Sequence, residues 1–274
     1  DEIIRLLTRA FITSGEEAVM ADKTFPRYKT NVQIEGGKPV IVPLVDGVHN
    51  LEGMKKAITN QTKMVFVCNP NNPTGTVVGY EELHSFIKSI PSNILVVIDE
   101  AYYEYVTTKD YLETLPLLNS FPNLVILRTF SKIYGLAALR IGYGIMHPEL
   151  IKELRKVQDV FNVNHIAQMA ALASIDDEEF LNRCIEENAK ERTNLETELN
   201  KLGLSFFSSQ SNFIMVHLNC QGDKMYDFLL KNGIIVRSGS LLGYQDSIRI
   251  TIGTNSENKK LLSVLRKALE QGVT

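Results

Sequence analysis

The sequence has no long basic run, no apolar stretch of membrane-spanning length and no paired cysteine motif, and each absence removes a class of function. With a net charge of -3 and no basic stripe, a nucleic-acid partner has nothing electrostatic to hold. A bilayer span needs about 20 consecutive apolar residues, and neither such a span nor a secretory signal is visible. The three cysteines, Cys68, Cys184 and Cys220, lie far apart in apolar surroundings with no CxxC pair. They read as reduced core thiols of a cytoplasmic protein rather than as a disulfide framework. The five histidines share no ligand spacing, so no metal site is expected. Internal repeats and low-complexity segments are missing too. What is present is 274 residues, 44% of them hydrophobic, enough for a large core in one big domain or two.

Apolar patterning divides the chain. Ile3 to Phe11 is an amphipathic helix that Gly15 ends, with Asp1 as its cap. A short apolar run (Glu17 to Ala21) leads to Thr24-Phe25-Pro26-Arg27-Tyr28. Lys38 to Leu44 reads as a strand and Leu51 to Thr59 as a helix. Met64 to Cys68 and Asn93 to Ile98 are apolar without alternation, as strands buried on both faces of a parallel sheet are. The first ends in Asn69-Pro70-Asn71-Asn72-Pro73-Thr74-Gly75, which can be neither helix nor strand. After the helix Glu81 to Ile90, the second runs into Asp99-Glu100-Ala101-Tyr102-Tyr103. A third apolar strand, Leu124 to Leu127, breaks into Arg128-Thr129-Phe130-Ser131-Lys132. Repeated strand, loop and helix predict an α/β fold with a mostly parallel sheet between layers of helices.

Beyond Met146 helices dominate, at Pro148 to Val160, Ile166 to Ile175 and Glu178 to Leu202. Strands are expected at Asn212 to Leu218, Gly233 to Val236 and Ile248 to Gly253, with helices at Asp223 to Asn232 and Asn258 to Glu270. The expected division is a large domain over 1–178 and a smaller C-terminal α+β domain over 179–274.

Parallel strands present their C-terminal ends at one edge, where ligands of open α/β sheets bind. The asparagine loop, the Asp99 loop and the Lys132 loop therefore converge on one crevice. Desolvation and nearby cations can make a lysine amine a nucleophile toward an aldehyde. Thr129, Ser131 and Arg140 are the groups that would hold a phosphate. Lysine beside a phosphate site suggests pyridoxal 5'-phosphate in a Schiff base. Such a cofactor needs a carboxylate at its pyridine nitrogen, for which Asp99 is suited, and a donor beside its phenolic oxygen, for which Asn72 and Tyr102 are candidates. Each has a plainer alternative: Asp99 as a cap, Asn72 as turn chemistry, Tyr102 as a core phenol.

Taken in order, NPNNPTG, DEAYYEY and RTFSKIYGLAALRIGY resemble the fold-type I pyridoxal phosphate aminotransferases, and their wording is most similar to the branch acting on histidinol phosphate. The likeness runs from DEIIRLL to GIIVRSGS and IRITIGT, essentially the whole chain. It implies that Lys132 binds the cofactor and carries the proton, with Asp99 at the pyridine nitrogen and Asn72 and Tyr102 at O3'. It also puts Thr129, Ser131 and Arg140 on the phosphate, Phe25 stacked on the ring and Ala101 beneath the other face. Without the resemblance, Phe25 would read as a plain core aromatic.

Further expectations from the same resemblance concern the substrate. Arg249 would grip the α-carboxylate as a bidentate fork, and Arg237 the phosphate of the amino donor. Asn212 would sit near the site and Tyr28 on its substrate side. The reaction implied is transfer of an amino group from histidinol phosphate to 2-oxoglutarate, with ping-pong kinetics in a homodimer. Rival readings are an aromatic amino acid or phenylpyruvate aminotransferase, a decarboxylase of a phosphorylated amino acid, and a non-catalytic regulatory domain that binds the cofactor. The family's chain extends upstream of Asp1, so an N-terminal segment is expected to be missing here. Asp1 and Glu2 match the N-terminus of a helix whose backbone N–H groups favour a phosphate.

Overall fold

The computed structural model describes residues 1–273. Its centre is made of three apolar strands, β3 (Thr62–Cys68), β4 (Leu95–Asp99) and β5 (Leu124–Thr129). With β1 (Glu17–Ala21), β2 (Lys38–Val42) and β6 (Gly142–Met146) they form a sheet in the order β2-β1-β3-β4-β5-β6. All pairs are parallel except β5 with β6.

Successive side chains on a strand face opposite sides, so each central strand feeds two cores. Met64, Phe66 and Cys68 of β3 join Val97, Val125 and Leu127 in one layer. That layer is closed by α1 (Glu2–Phe11), α2 (Arg27–Ile34) and α5 (Pro148–Val157). Val65 and Val67 join Val96, Ile98, Leu124 and Ile126 in the other, under α3 (Leu51–Lys56) and α4 (Tyr80–Ser89). Burial on both faces accounts for the lack of polar alternation.

After α6 (His165–Ile175), the long α7 (Glu178–Lys201) leads to a second, antiparallel sheet. It contains β7 (Phe213–His217), β8 (Arg237–Ser238) and β9 (Ser247–Thr251) in the order β7-β9-β8. Leu195 and Leu199 of α7 pack there with Met225 and Leu229 of α8 (Gly222–Lys231) and Leu261 and Leu265 of α9 (Asn255–Glu270). A buried arginine ties the two parts together. Arg192 of α7 donates to the Tyr105 carbonyl at 3.2 Å and to Thr107 Oγ1 at 2.7 Å, both in the loop after β4.

The structure departs from the expected elements in several places, among them α3, which ends at Lys56 rather than Thr59. The strand expected at Gly233 to Val236 starts at Arg237, because Ile234 N–H still bonds back to the Leu229 carbonyl at the end of α8. The helix from Pro148 stops at Val157, short of Val160. A helix not anticipated, α2, follows Pro26 and buries Tyr28, Asn31 and Val32.

Candidate active site

At the C-terminal edge of β3, β4 and β5 lies a cleft of about 640 Å³. The sheet register explains why chemistry gathers there: Cys68 is level with Asp99, Asp99 with Leu127, and Thr129 with Gly142. Asp1, Glu2, Phe25, Asn72, Asp99, Ala101, Tyr102, Thr129, Ser131, Lys132 and Arg140 all line the cleft, so the residues expected on the cofactor side meet around one space.

Asp99 is 7% exposed and is anchored at both oxygens. Tyr28 donates its hydroxyl to Oδ2 at 2.5 Å, and the Ala101 backbone N–H donates to Oδ1 at 3.1 Å. Burial raises the Asp99 carboxyl above the usual range, opposed by these two donors and by the charge of Lys132. Lys132 is shifted the other way. Burial, then the charge of Arg249, lowers its ammonium, while Asp99 pulls it up. Its Nζ sits 5.1 Å from the centre of the Tyr102 ring. The amine is thus poised between a carboxylate and two guanidiniums, those of Arg249 and Arg140.

The loops are fixed from behind. Asn71 is fully buried: it accepts from Thr24 Oγ1 at 2.8 Å and donates to the Lys23 carbonyl at 3.0 Å, tying the asparagine loop to the segment that carries Phe25. That leaves its neighbour Asn72 turned to the cleft. On the lysine side, Ser131 N–H donates to Thr129 Oγ1 at 3.0 Å. Arg140 adopts a left-handed conformation (φ 54°) that closes a short turn, and donates to the Ala137 carbonyl at 2.7 Å.

One residue out of step with Asp99 and Thr129 stands a buried ion pair. Glu100 is fully buried, accepts from Arg128 Nε at 2.8 Å and takes the Thr114 hydroxyl at 2.5 Å. Arg128 in turn covers the Tyr103 ring, 3.8 Å from its centre. Sequence reading missed this pair, although strand alternation signals that the neighbours of Asp99 and Thr129 have other surroundings: Glu100 does not line the cleft, whereas Arg128 lines it in part.

The expected substrate-side residues are placed less uniformly. Arg249 donates to Asn72 Oδ1 at 2.5 Å, bringing the small sheet to the cleft mouth. It lies over the Phe213 ring, 4.7 Å from the centre, and its buried Nε has no hydrogen-bond partner among the described residues. Arg237 is exposed and directly opposite Arg249 across β8 and β9, so two guanidiniums share one face. Asn212 is half-buried, and its carbonyl accepts from Ile252 N–H at 2.9 Å. Tyr28 is a correction. Its side chain is wholly buried behind Asp99, because α2 turns it inward against Phe66, and it does not reach the substrate side.

Pyridoxal phosphate fits what these residues offer. Asp99 is a buried acceptor open to the cleft, Phe25 and Ala101 are flat or small, and Thr129, Ser131 and Arg140 form a donor set for a phosphate. The buried Arg249 Nε is a donor that no described residue uses.

Comparison with known proteins gives a family and close relatives. The family model described as aminotransferase class I and II matches residues 1–265. A histidinol-phosphate aminotransferase of Brevibacillus brevis is 51% identical over 267 residues, spanning 97% of this chain and 73% of that protein. Another, from Geobacillus sp. (strain WCH70), is 46% identical over 99% of this chain and 74% of its own length. Among solved structures, the Sinorhizobium meliloti histidinol-phosphate aminotransferase in complex with pyridoxal-5'-phosphate superposes with a TM-score of 0.91. It is 28% identical and aligns over 98% of this chain and 74% of that one.

Proposed function

The chain belongs to the class I and II aminotransferase family, and from that membership we propose that it transfers the amino group of histidinol phosphate to 2-oxoglutarate. The products are imidazole acetol phosphate and glutamate, a step of histidine biosynthesis. The observation that carries this reading is the cleft in which Lys132, Asp99, Asn72 and Arg140 meet, with Arg249 bonded to Asn72 at its edge.

Pyridoxal phosphate, when bound, supplies an aldehyde for the lysine and a ring that accepts the electron pair left on the substrate Cα. The chain does the rest. Asp99, oriented by the Tyr28 hydroxyl and the Ala101 N–H, would keep a proton at the ring nitrogen. Asn72 and Tyr102 hydrogen-bond the phenolic oxygen, and Phe25 and Ala101 close the two faces of the ring. Thr129, Ser131 and Arg140 hold the phosphate, with Asp1 and Glu2 at the neighbouring helix N-terminus. Lys132, its basicity moderated by burial and by Arg249, takes the proton from substrate Cα and returns it on the other side of the reaction. Arg249 grips the α-carboxylate of the glutamate and 2-oxoglutarate half-reaction, and Arg237 the phosphate of the donor. Asn212 supports the same wall.

The division at residue 178 into a large and a small unit is supported by the two separate sheets. A homodimer is supported by α6, which exposes Ile166, Met169 and Leu172. Three free cysteines suit a reducing cytoplasm.

The test is direct. The protein, supplied with pyridoxal phosphate, histidinol phosphate and 2-oxoglutarate, should form glutamate, with initial rates giving parallel double-reciprocal lines. Preference for phenylalanine over histidinol phosphate would instead make it an aromatic aminotransferase.

A further inference from the structure

Tyr28 lies outside the cleft, yet its hydroxyl is the shortest contact that Asp99 makes. Its ring lies flat on Phe66, with centroids 4.6 Å apart and planes 10° apart. Phe25, which lines the cleft, meets it edge-on at 5.7 Å and 79°. The phenol is fully buried, so its proton is firmly kept, and it stands as a permanent donor.

From this geometry we infer that Tyr28 is a positioning residue for the cofactor ring: a single phenol aims the Asp99 carboxylate at the pyridine nitrogen and backs the Phe25 wall against the ring face. The inference rests on the reading of Asp99 as the partner of that nitrogen.

The physical case has three parts. A carboxylate on a short side chain rotates freely about its last bond unless both oxygens are tied. Here Oδ1 is tied by the Ala101 N–H and Oδ2 by Tyr28, so the plane of the group is set before any ligand arrives. Second, a carboxyl buried to this degree tends to protonate, and a hydrogen bond donated to its charged form opposes that. A protonated Asp99 could not hold a proton on the ring nitrogen. Third, the ring of Tyr28 is clamped by Phe66, so the donor is not free to follow Asp99 if the carboxylate drifts. Orientation, charge and the stacking wall thus depend on one side chain that touches neither cofactor nor substrate.

A double-mutant cycle with Y28F, D99N and Y28F/D99N tests this. The measured quantity is the dissociation constant of pyridoxal phosphate, from absorbance titration of the stripped protein, alongside kcat and KM for histidinol phosphate. Y28F keeps the ring stack on Phe66 and deletes only the donor. It should weaken cofactor binding by about tenfold or more, the range for a hydrogen bond to a charged group. It should lower kcat while leaving the donor KM within about twofold. In the D99N background the same change should alter cofactor affinity by less than about twofold. Y28L, which also removes the ring behind Phe25, should cost more than Y28F, and that extra loss should persist in D99N.

An equal loss from Y28F in both backgrounds would make Tyr28 merely structural and overturn its positioning role. Unchanged affinity in Y28F, with D99N impaired, would overturn it as well while leaving Asp99 in place. Unchanged affinity in D99N itself would instead overturn the reading of Asp99, and the role of Tyr28 with it.

Discussion

Arg249 and Asn72, 177 residues apart in sequence, are joined by a 2.5 Å hydrogen bond from guanidinium to amide oxygen. One side chain belongs to the small sheet and the other to the loop after β3, so this bond couples the position of the small sheet to the cleft. Removing Asn72 frees one arm of an arginine whose Nε already lacks a partner among the described residues. N72A should therefore lower kcat/KM for every amino donor and for 2-oxoglutarate alike, by about 10- to 100-fold. Steady-state kinetics with both half-reactions decide it, and a loss confined to one donor would contradict the coupling.

Arg237 gives the complementary case. It is exposed and directly cross-strand from Arg249. R237A should raise KM for histidinol phosphate by about tenfold, as loss of a charge-assisted hydrogen bond does, and change phenylalanine turnover little. Equal effects on the two donors would remove Arg237 from phosphate recognition.

Glu100 and Arg128 offer a stability measurement. A carboxylate with no exposure, paired with a guanidinium stacked on Tyr103, loses its compensation if either partner is cut. R128M should cost about 3–5 kcal/mol in denaturant unfolding, and the E100Q/R128M double variant should lose much less than the sum of the two single changes. Additive losses would mean that the pair acts as two independent packing residues.

The cleft was largely legible because its residues sit at the ends of apolar strands. Met64 to Cys68, the run ending at Asp99, and Leu124 to Leu127 each announce a buried parallel strand, and parallel strands must deliver their following loops to one edge. Tyr28 was misplaced for an identifiable reason. In α2 only Tyr28, Asn31 and Val32 turn inward, and a stripe with a polar middle member does not look amphipathic. The shift of β8 has a similar origin: Ile234 and Ile235 look like strand, but Ile234 still closes α8 and Ile235 is 81% exposed. Arg192 was invisible, since an arginine in a charged helix gives no hint that its partners will be the Tyr105 carbonyl and the Thr107 hydroxyl in the loop after β4.

Glu104 predicts a pH dependence of stability. Burial raises its carboxyl from 4.5 to about 7, with Arg128 opposing and Glu100 adding. The folded chain thus binds this proton more tightly than the unfolded one. The resulting stabilisation is complete below pH 4.5, declines as pH rises to about 7, and is gone above it. E104Q removes the ionisation, so at pH 8 it should be more stable than the parent by on the order of 2 kcal/mol, with no such advantage at pH 4.5. Urea midpoints at the two pH values measure this, and a pH-independent difference would contradict it.

The outward face of α6 makes the last prediction. Ala167 and Ala171 turn inward, where such small side chains let the helix lie close, while Ile166 (71% exposed), Met169 (54%) and Leu172 (63%) form a stripe on the other side. A helix that meets water on one face carries mainly polar residues there, whereas among the exposed residues of α6 only His165 and Gln168 are polar. Val160 (86%) and Phe161 (98%) extend the apolar surface just before it. Burying a single large aliphatic side chain contributes about 1.5–3 kcal/mol, and a two-fold contact buries the stripe twice, so pairing of two chains here would be strongly favoured. L172E puts a charge in the middle of the stripe without touching the inward alanines. Sedimentation should find the parent at twice the chain mass and the variant at one chain mass, with helix content retained. A parent that sediments as a single chain at micromolar concentration would leave α6 without the proposed role.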